Sequence, residues 1–218
     1  MRALWYDVFN DGKDIADASS WMLAEENDLA WSSNVNENNT RFNTVILDDS
    51  EDIVGAVVHL SGIESYPKLL DFISKVPWIQ HGFAHGNAFP FGNFVSVQKL
   101  FHQDGKYRGL PTIERTQPFN TNPTITWYVV LSAKKVAGYD EKFGLDDALQ
   151  GFRLLKSNIA EEVFDLKDPE QGKILRIKAN DRGEVQKYIE NFTSVREGAV
   201  NVLILRTKST SVWDFSFF

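Results

Sequence analysis

Apolar positions recur with a period of two in some segments of this chain and near 3.6 in others, which predicts strands alternating with helices. Residues 2–9 alternate, are rich in aromatics, and end in the turn tetrad Asn10-Asp11-Gly12-Lys13. Residues 14–27 carry Ile15, Ala18 and Met22 on one helical stripe, and the asparagine-rich stretch 31–40 reads as a polar connection. Apolar strands follow at 42–47 and 53–60, split by the acidic turn Asp48-Asp49-Ser50-Glu51-Asp52. Ser65 then caps a helix with Pro67 in its first turn, Leu69, Leu70, Ile73 and Val76 on its buried face, and Pro77 as its stop. Residues 81–92, dense in glycine, read as a loop. Residues 94–102 and 106–113 read as a hairpin turning at Asp104-Gly105.

That order over the first ~100 residues, βαββαβ, is the split pattern of ferredoxin-like folds. The second half has similar ingredients. It offers strands at 124–133, 173–178 and 200–205, helices at 146–156 and 183–192, and a closing strand at 212–218. The helix at 146–156 presents Leu149, Phe152 and Leu155 as its apolar stripe. The prediction is an α+β fold, a mixed or antiparallel sheet with helices packed on it. A ferredoxin-like lobe covers 1–115 and a second α+β lobe, similar in kind, covers 124–218; one continuous domain is the alternative. The boundary falls in 116–123, which contains Pro118 and Pro123. The predicted core is Leu4, Val45, Leu47, Val57, Leu69, Ile73, Val97, Trp127, Val129, Phe152, Ile174, Ile189, Leu203 and Leu205, each on the apolar face of its element.

Composition narrows the function classes. With 218 residues, 43% of them hydrophobic, the chain can bury a core without disulfides or metals. It has no cysteine, which excludes thiol catalysis and thiolate metal sites and fits a cytoplasmic protein. No apolar run is long enough for a secretory signal or a membrane span. The net charge of −7 is uneven: residues 1–52 hold 12 acidic and 3 basic side chains. Extended nucleic acid is therefore not an expected partner of that quarter, because phosphates demand cations.

Candidate chemistry centres on histidine. His81 and His85 stand four apart in Ile79-Gln80-His81-Gly82-Phe83-Ala84-His85-Gly86-Asn87, with His102 downstream. The two glycines oppose a helix that would align both imidazoles on a metal. His59 and Ser61 share one face at the end of an apolar strand. Two-histidine phosphodiesterases use two such His-x-Ser or His-x-Thr pairs as base and acid. The second pair is missing, since Leu205-Arg206-Thr207 lacks the imidazole. No metal is expected, Asp48 and Asp49 being weak candidates in an exposed turn. No cofactor is expected either, because GxGxxG, GxxxxGK[ST], GxSxG and HExxH are all absent.

Aromatic segments point elsewhere. Phe89 and Phe91 on the glycine-rich stretch, and Trp213, Phe215 and Phe217 at the end of the chain, have the character of interface anchors. The expected function is accordingly a non-enzymatic macromolecular binding protein, an assembly component or an acidic inhibitor of the immunity type. Another protein is the expected partner, a second copy included, and no membrane. The alternative is a small phosphoester- or nucleotide-processing enzyme using His59 with His81 or His85.

Overall fold

A computed structural model describes residues 1–10, 40–60, 62–96 and 125–209. The helix predicted at 14–27, Ser61, Val97, His102, the hairpin beyond residue 96, the 116–123 boundary and the closing strand with Trp213, Phe215 and Phe217 lie outside them. The architecture is α+β, divided into two compact units, residues 1–90 and 91–218.

In the first unit, β1 (Arg2–Phe9) and β2 (Thr40–Leu47) flank β3 (Ile53–Leu60), and both pairs are antiparallel. Leu4 opposes His59 and Val45 opposes Ala56. Alternation sends Ala3, Trp5, Val58 and Leu60 to one face, where Leu69 and Ile73 of α1 (Tyr66–Ser74) cover them. Ser65 caps α1 as expected, its hydroxyl accepting from the Lys68 amide at 3.4 Å. Leu70 departs from expectation: it is 45% exposed, because α1 turns the Leu69–Ile73 stripe inward and Leu70 sits a third of a turn away.

After the single turn α2 (Pro77–Gln80), the glycine-rich segment is a strand, β4 (Ala84–Ser96), and not a loop. The glycines serve a different end. A Cβ at Gly86 would sit 2.1 Å from the Tyr6 carbonyl oxygen, so the residue lets β1 approach closely. Gly82, at φ 71°, makes the turn before it.

The second unit alternates β5 (Ile125–Ala133), α3 (Leu145–Lys156), β6 (Ala160–Leu166), β7 (Gly172–Ile177), α4 (Arg182–Ile189), the single turn α5 (Thr193–Arg196) and β8 (Val200–Ser209). Pairing is antiparallel throughout, in the order β8-β5-β7-β6. Trp127, Val129, Leu131, Leu175 and Ile177 face the helices and meet Leu154, Leu155, Val185 and Ile189. Most of the predicted core is buried; Leu203 is half-buried and Phe152 is 48% exposed. The phase of α3 explains Phe152. Its inward face is Asp147, Gln150, Gly151, Leu154 and Leu155, two polar residues and a glycine among them, so counting apolar residues selects the wrong stripe.

Asp147 is fully buried because it ties three segments together. It accepts from the Tyr139 hydroxyl at 2.9 Å, next to the π-helical turn Asp140–Gly144, and from the Ser194 amide at 3.3 Å. Burial pushes the Tyr139 phenol above its ordinary range, and the negative charge of Asp147 pushes the same way. A phenol raised on folding contributes stability that is complete below its unfolded pKa, about 10, and is lost as pH climbs toward the folded value. Alkaline melts should therefore show a loss of stability above pH ~10 that is smaller in Tyr139→Phe. Parallel curves for the two proteins would remove this role. Among the described residues, no helix is long and apolar enough to cross a membrane.

Candidate functional site

β7 reads Gly-Lys-Ile-Leu-Arg-Ile, so the face opposite the helices receives Ile174 and Arg176. The paired positions add Tyr128 and Val130 from β5 and Phe164 from β6. Tyr128, Val130, Phe164 and Ile174 are all 0–1% exposed, so Arg176 lies on an apolar, buried surface. A lone guanidinium there would carry a heavy desolvation penalty.

A bulge in β6 supplies the compensating charge. The register passes from Ala160 opposite Ile177 to Glu162 opposite Arg176, two residues on β6 for one on β7. Glu161 is the extra residue, and such a bulge re-aims its side chain. Both Glu161 and Glu162 consequently reach Arg176. Its Nε is 3.2 Å from Glu161 Oε2, and its Nη1 is 3.9 Å from Glu162 Oε2. The second distance is too long for a hydrogen bond, so Glu162 acts on Arg176 through charge. Lys178 Nζ stands 3.3 Å from the other Glu161 oxygen. Side-chain exposures of 19%, 28% and 19% for Arg176, Glu161 and Glu162 leave the group partly within reach of solvent.

The remaining contacts orient the arginine. Its guanidinium carbon is 5.9 Å from the centre of the Tyr128 ring, within cation–π range. Nε also donates to Thr126 Oγ1 at 3.4 Å. The Thr207 hydroxyl donates to the Thr126 carbonyl at 2.9 Å, so in the 3.2 Å contact between the two hydroxyls the Thr126 proton must be the one donated. Burial alone would lower the Arg176 pKa; Tyr128, Glu161 and Glu162 more than offset it, and the pKa is raised. The result is a fixed, fully charged guanidinium between two carboxylates on a buried wall.

The residues singled out in the sequence lie elsewhere. His59 is half-buried on β3, opposite Leu4. His81 is exposed in the turn after α2, and His85 is exposed on β4 with Nδ1 2.6 Å from Asn10 Oδ1. Gly86 lies beside Tyr6 and Asp7, so His85 is roughly 10 Å along the strand direction from the row of Leu4 and His59. The fold does not bring His85 to His59. Asp48 is engaged locally, Oδ1 accepting from the amides of Ser50 at 2.8 Å and Asp52 at 3.0 Å, and Asp49 is exposed beside it. Among the described residues no group of three or more His, Cys, Asp or Glu side chains could hold a metal ion. Phe89 and Phe91, expected as exposed anchors, are each only 6% exposed. Phe89 stacks on Tyr6 at 6.1 Å and Phe91 tilts onto Phe164 at 4.7 Å, both as core residues of a strand.

Neither a protein-family model nor a curated protein sequence matches the chain. Solved structures do. A mutant chlorite dismutase from Candidatus Nitrospira defluvii superposes with a TM-score of 0.54 at 10% identity, covering 98% of this chain and 92% of that one. A second mutant of the enzyme, in complex with cyanide, gives 0.52 at 10% identity, over 96% and 91%. The enzyme with imidazole gives 0.50 at 10% identity, over 96% and 91%. The chain has the fold of chlorite dismutase. That corrects the expectation of a non-enzymatic binding protein: the solved structures that share the fold are enzymes, and the two described aromatic anchors are core.

Proposed function

We propose that the protein is an enzyme in which the Glu162 carboxylate takes a proton from a small uncharged substrate and later returns it, while the fixed charge of Arg176 stabilises the anion formed in between. The observation that carries this reading is the bulge that sets two carboxylates against one guanidinium on a buried apolar wall. Glu161 engages both Arg176 and Lys178, at 3.2 and 3.3 Å, whereas Glu162 stands 3.9 Å from Arg176 and partly exposed, the placement of a proton acceptor. Charge decides the substrate class. Arg176 and Lys178 balance Glu161 and Glu162, so an anion such as chlorite would have to displace a carboxylate, whereas a neutral molecule would not.

We also read the two units as successive ferredoxin-like lobes. The strand order β8-β5-β7-β6 and its two helices support this in the second unit, and β3 between β1 and β2 supports it in the first. A chain without cysteine suits a reducing compartment, and we place the protein in the cytoplasm.

The test is a turnover screen of small ketones, followed by exchange of the α-hydrogen with deuterated solvent, and of small esters, followed by proton release, with chlorite consumption as a separate arm. The wild type should turn over at least one neutral compound, and Glu162→Gln should lower that rate about a hundredfold or more while still folding. Turnover indifferent to Glu162→Gln, or confined to chlorite, overturns the reading.

A further inference from the structure

Helix α3 carries two apolar stripes, and the fold uses one. Leu154 and Leu155 are buried in the second unit's core, whereas Leu145 is 73% exposed and Leu149 and Phe152 are 48% exposed each. With exposed Ala148 between them, these residues recur at three- and four-residue spacing and form a continuous strip on one side of the helix. An apolar strip of this kind marks an interaction surface.

The charges at its ends say what covers it. The π-helical turn holds Asp140 and Glu141 beside Lys142, which is paired with Glu197; the first turn of α3 adds Asp146, and its last turn is basic, with Arg153 and Lys156. We infer that this strip pairs with the same strip of a second copy of the chain, antiparallel across a two-fold axis. A two-fold placed between Ala148 and Leu149 sets Leu145 against Phe152 of the second copy and Ala148 against Leu149. It also sets Glu141 against Lys156, twice. Each contact is thus complementary in size or charge, as a self-pairing surface requires. Opposed helix dipoles favour the same antiparallel sense. Parallel pairing would instead bring acid to acid and base to base. The segment from Glu141 to Lys156 spans about 24 Å, so the contact is smaller than a standard interface and the dimer is one of modest affinity, with a dissociation constant on the order of micromolar.

Sedimentation velocity of the full chain across a wide concentration range tests this. The wild type should shift from monomer to dimer, and Leu149→Lys should weaken association about tenfold or more, with an unchanged thermal midpoint at concentrations where both proteins are monomeric. Glu141→Lys and Lys156→Glu should each weaken it about tenfold, since every dimer contains the pair twice. The double variant Glu141→Lys with Lys156→Glu should restore it. That restoration separates pairing between copies from any effect of the charges on their own helix, where the double variant remains unfavourable. A wild type that stays monomeric overturns the inference, as does a dimer indifferent to Leu149→Lys or not restored by the double reversal. Dimerisation that appears only when residues 210–218 are deleted also overturns it, because the chain's own end would then be the occupant.

Discussion

Replacing Phe164 by alanine should cost about 3 to 5 kcal/mol of stability, among the largest effects of any single truncation in the second unit. Phe164 is 1% exposed, and β6 places it in register with Ile174 of β7. Its ring also lies 4.7 Å from that of Phe91, tilted by 58°. A ring removed from so enclosed a position forfeits its transfer free energy and leaves a cavity that two paired strands cannot close. Part of the cost belongs to the aromatic pair itself. Phe91→Leu, Phe164→Leu and the double variant, compared by denaturant melts, should show a coupling of about 0.5 to 1.5 kcal/mol. Additive losses would mean that the two rings share a neighbourhood without a specific interaction.

Arg176→Met should cost about 3 kcal/mol or more, for an electrostatic reason. The substitution keeps much of the side-chain length and removes the charge that Glu161 and Glu162 both face at 3.2 and 3.9 Å. Two carboxylates, each less than a third exposed, would then confront one another on an apolar wall. Neutralising them should reverse the loss. Arg176→Met combined with Glu161→Gln and Glu162→Gln should recover most of the stability, because an ion cluster exchanged whole for uncharged groups is often close to neutral. If the triple variant melts as low as the single one, the arginine matters through its stem and its place over Tyr128, and charge pairing contributes little.

Much of the scaffold was legible in the sequence, and the reasons are local. β5 and β7 are short apolar runs buried on both faces, α1 has a serine cap and an early proline, and α4 follows Asp181, whose side chain accepts from the Glu184 amide. β6 escaped notice because its bulge breaks the period of two and its sequence, Ala-Glu-Glu-Val-Phe-Asp-Leu, looks like an acidic connection. The sequence predicts a loop where β4 lies, since glycines signal turns unless a neighbouring backbone presses on them. The Arg176 site is not legible from the sequence pattern. Arg176 arrives on β7, and its partners lie on strands whose neighbours only the tertiary pairing decides. One signal was available: an arginine between Leu175 and Ile177, in a segment too apolar for an edge, calls for carboxylates nearby. The histidines drew attention because they titrate near neutral pH, a property of the residue type that says nothing about convergence in space.

The extra residue in β6 bears on how this strand could have arisen. Glu161 is the second residue of β6: only Ala160 precedes it, and the pairing of Glu162 to Asp165 with β7 runs on without a shift after it. Matching it to an unbulged strand in any related protein requires a gap of one residue at that place. A lineage could therefore gain or lose the Glu161 carboxylate by inserting or deleting a single codon, while Glu162 and the rest of β6 keep their register with β7.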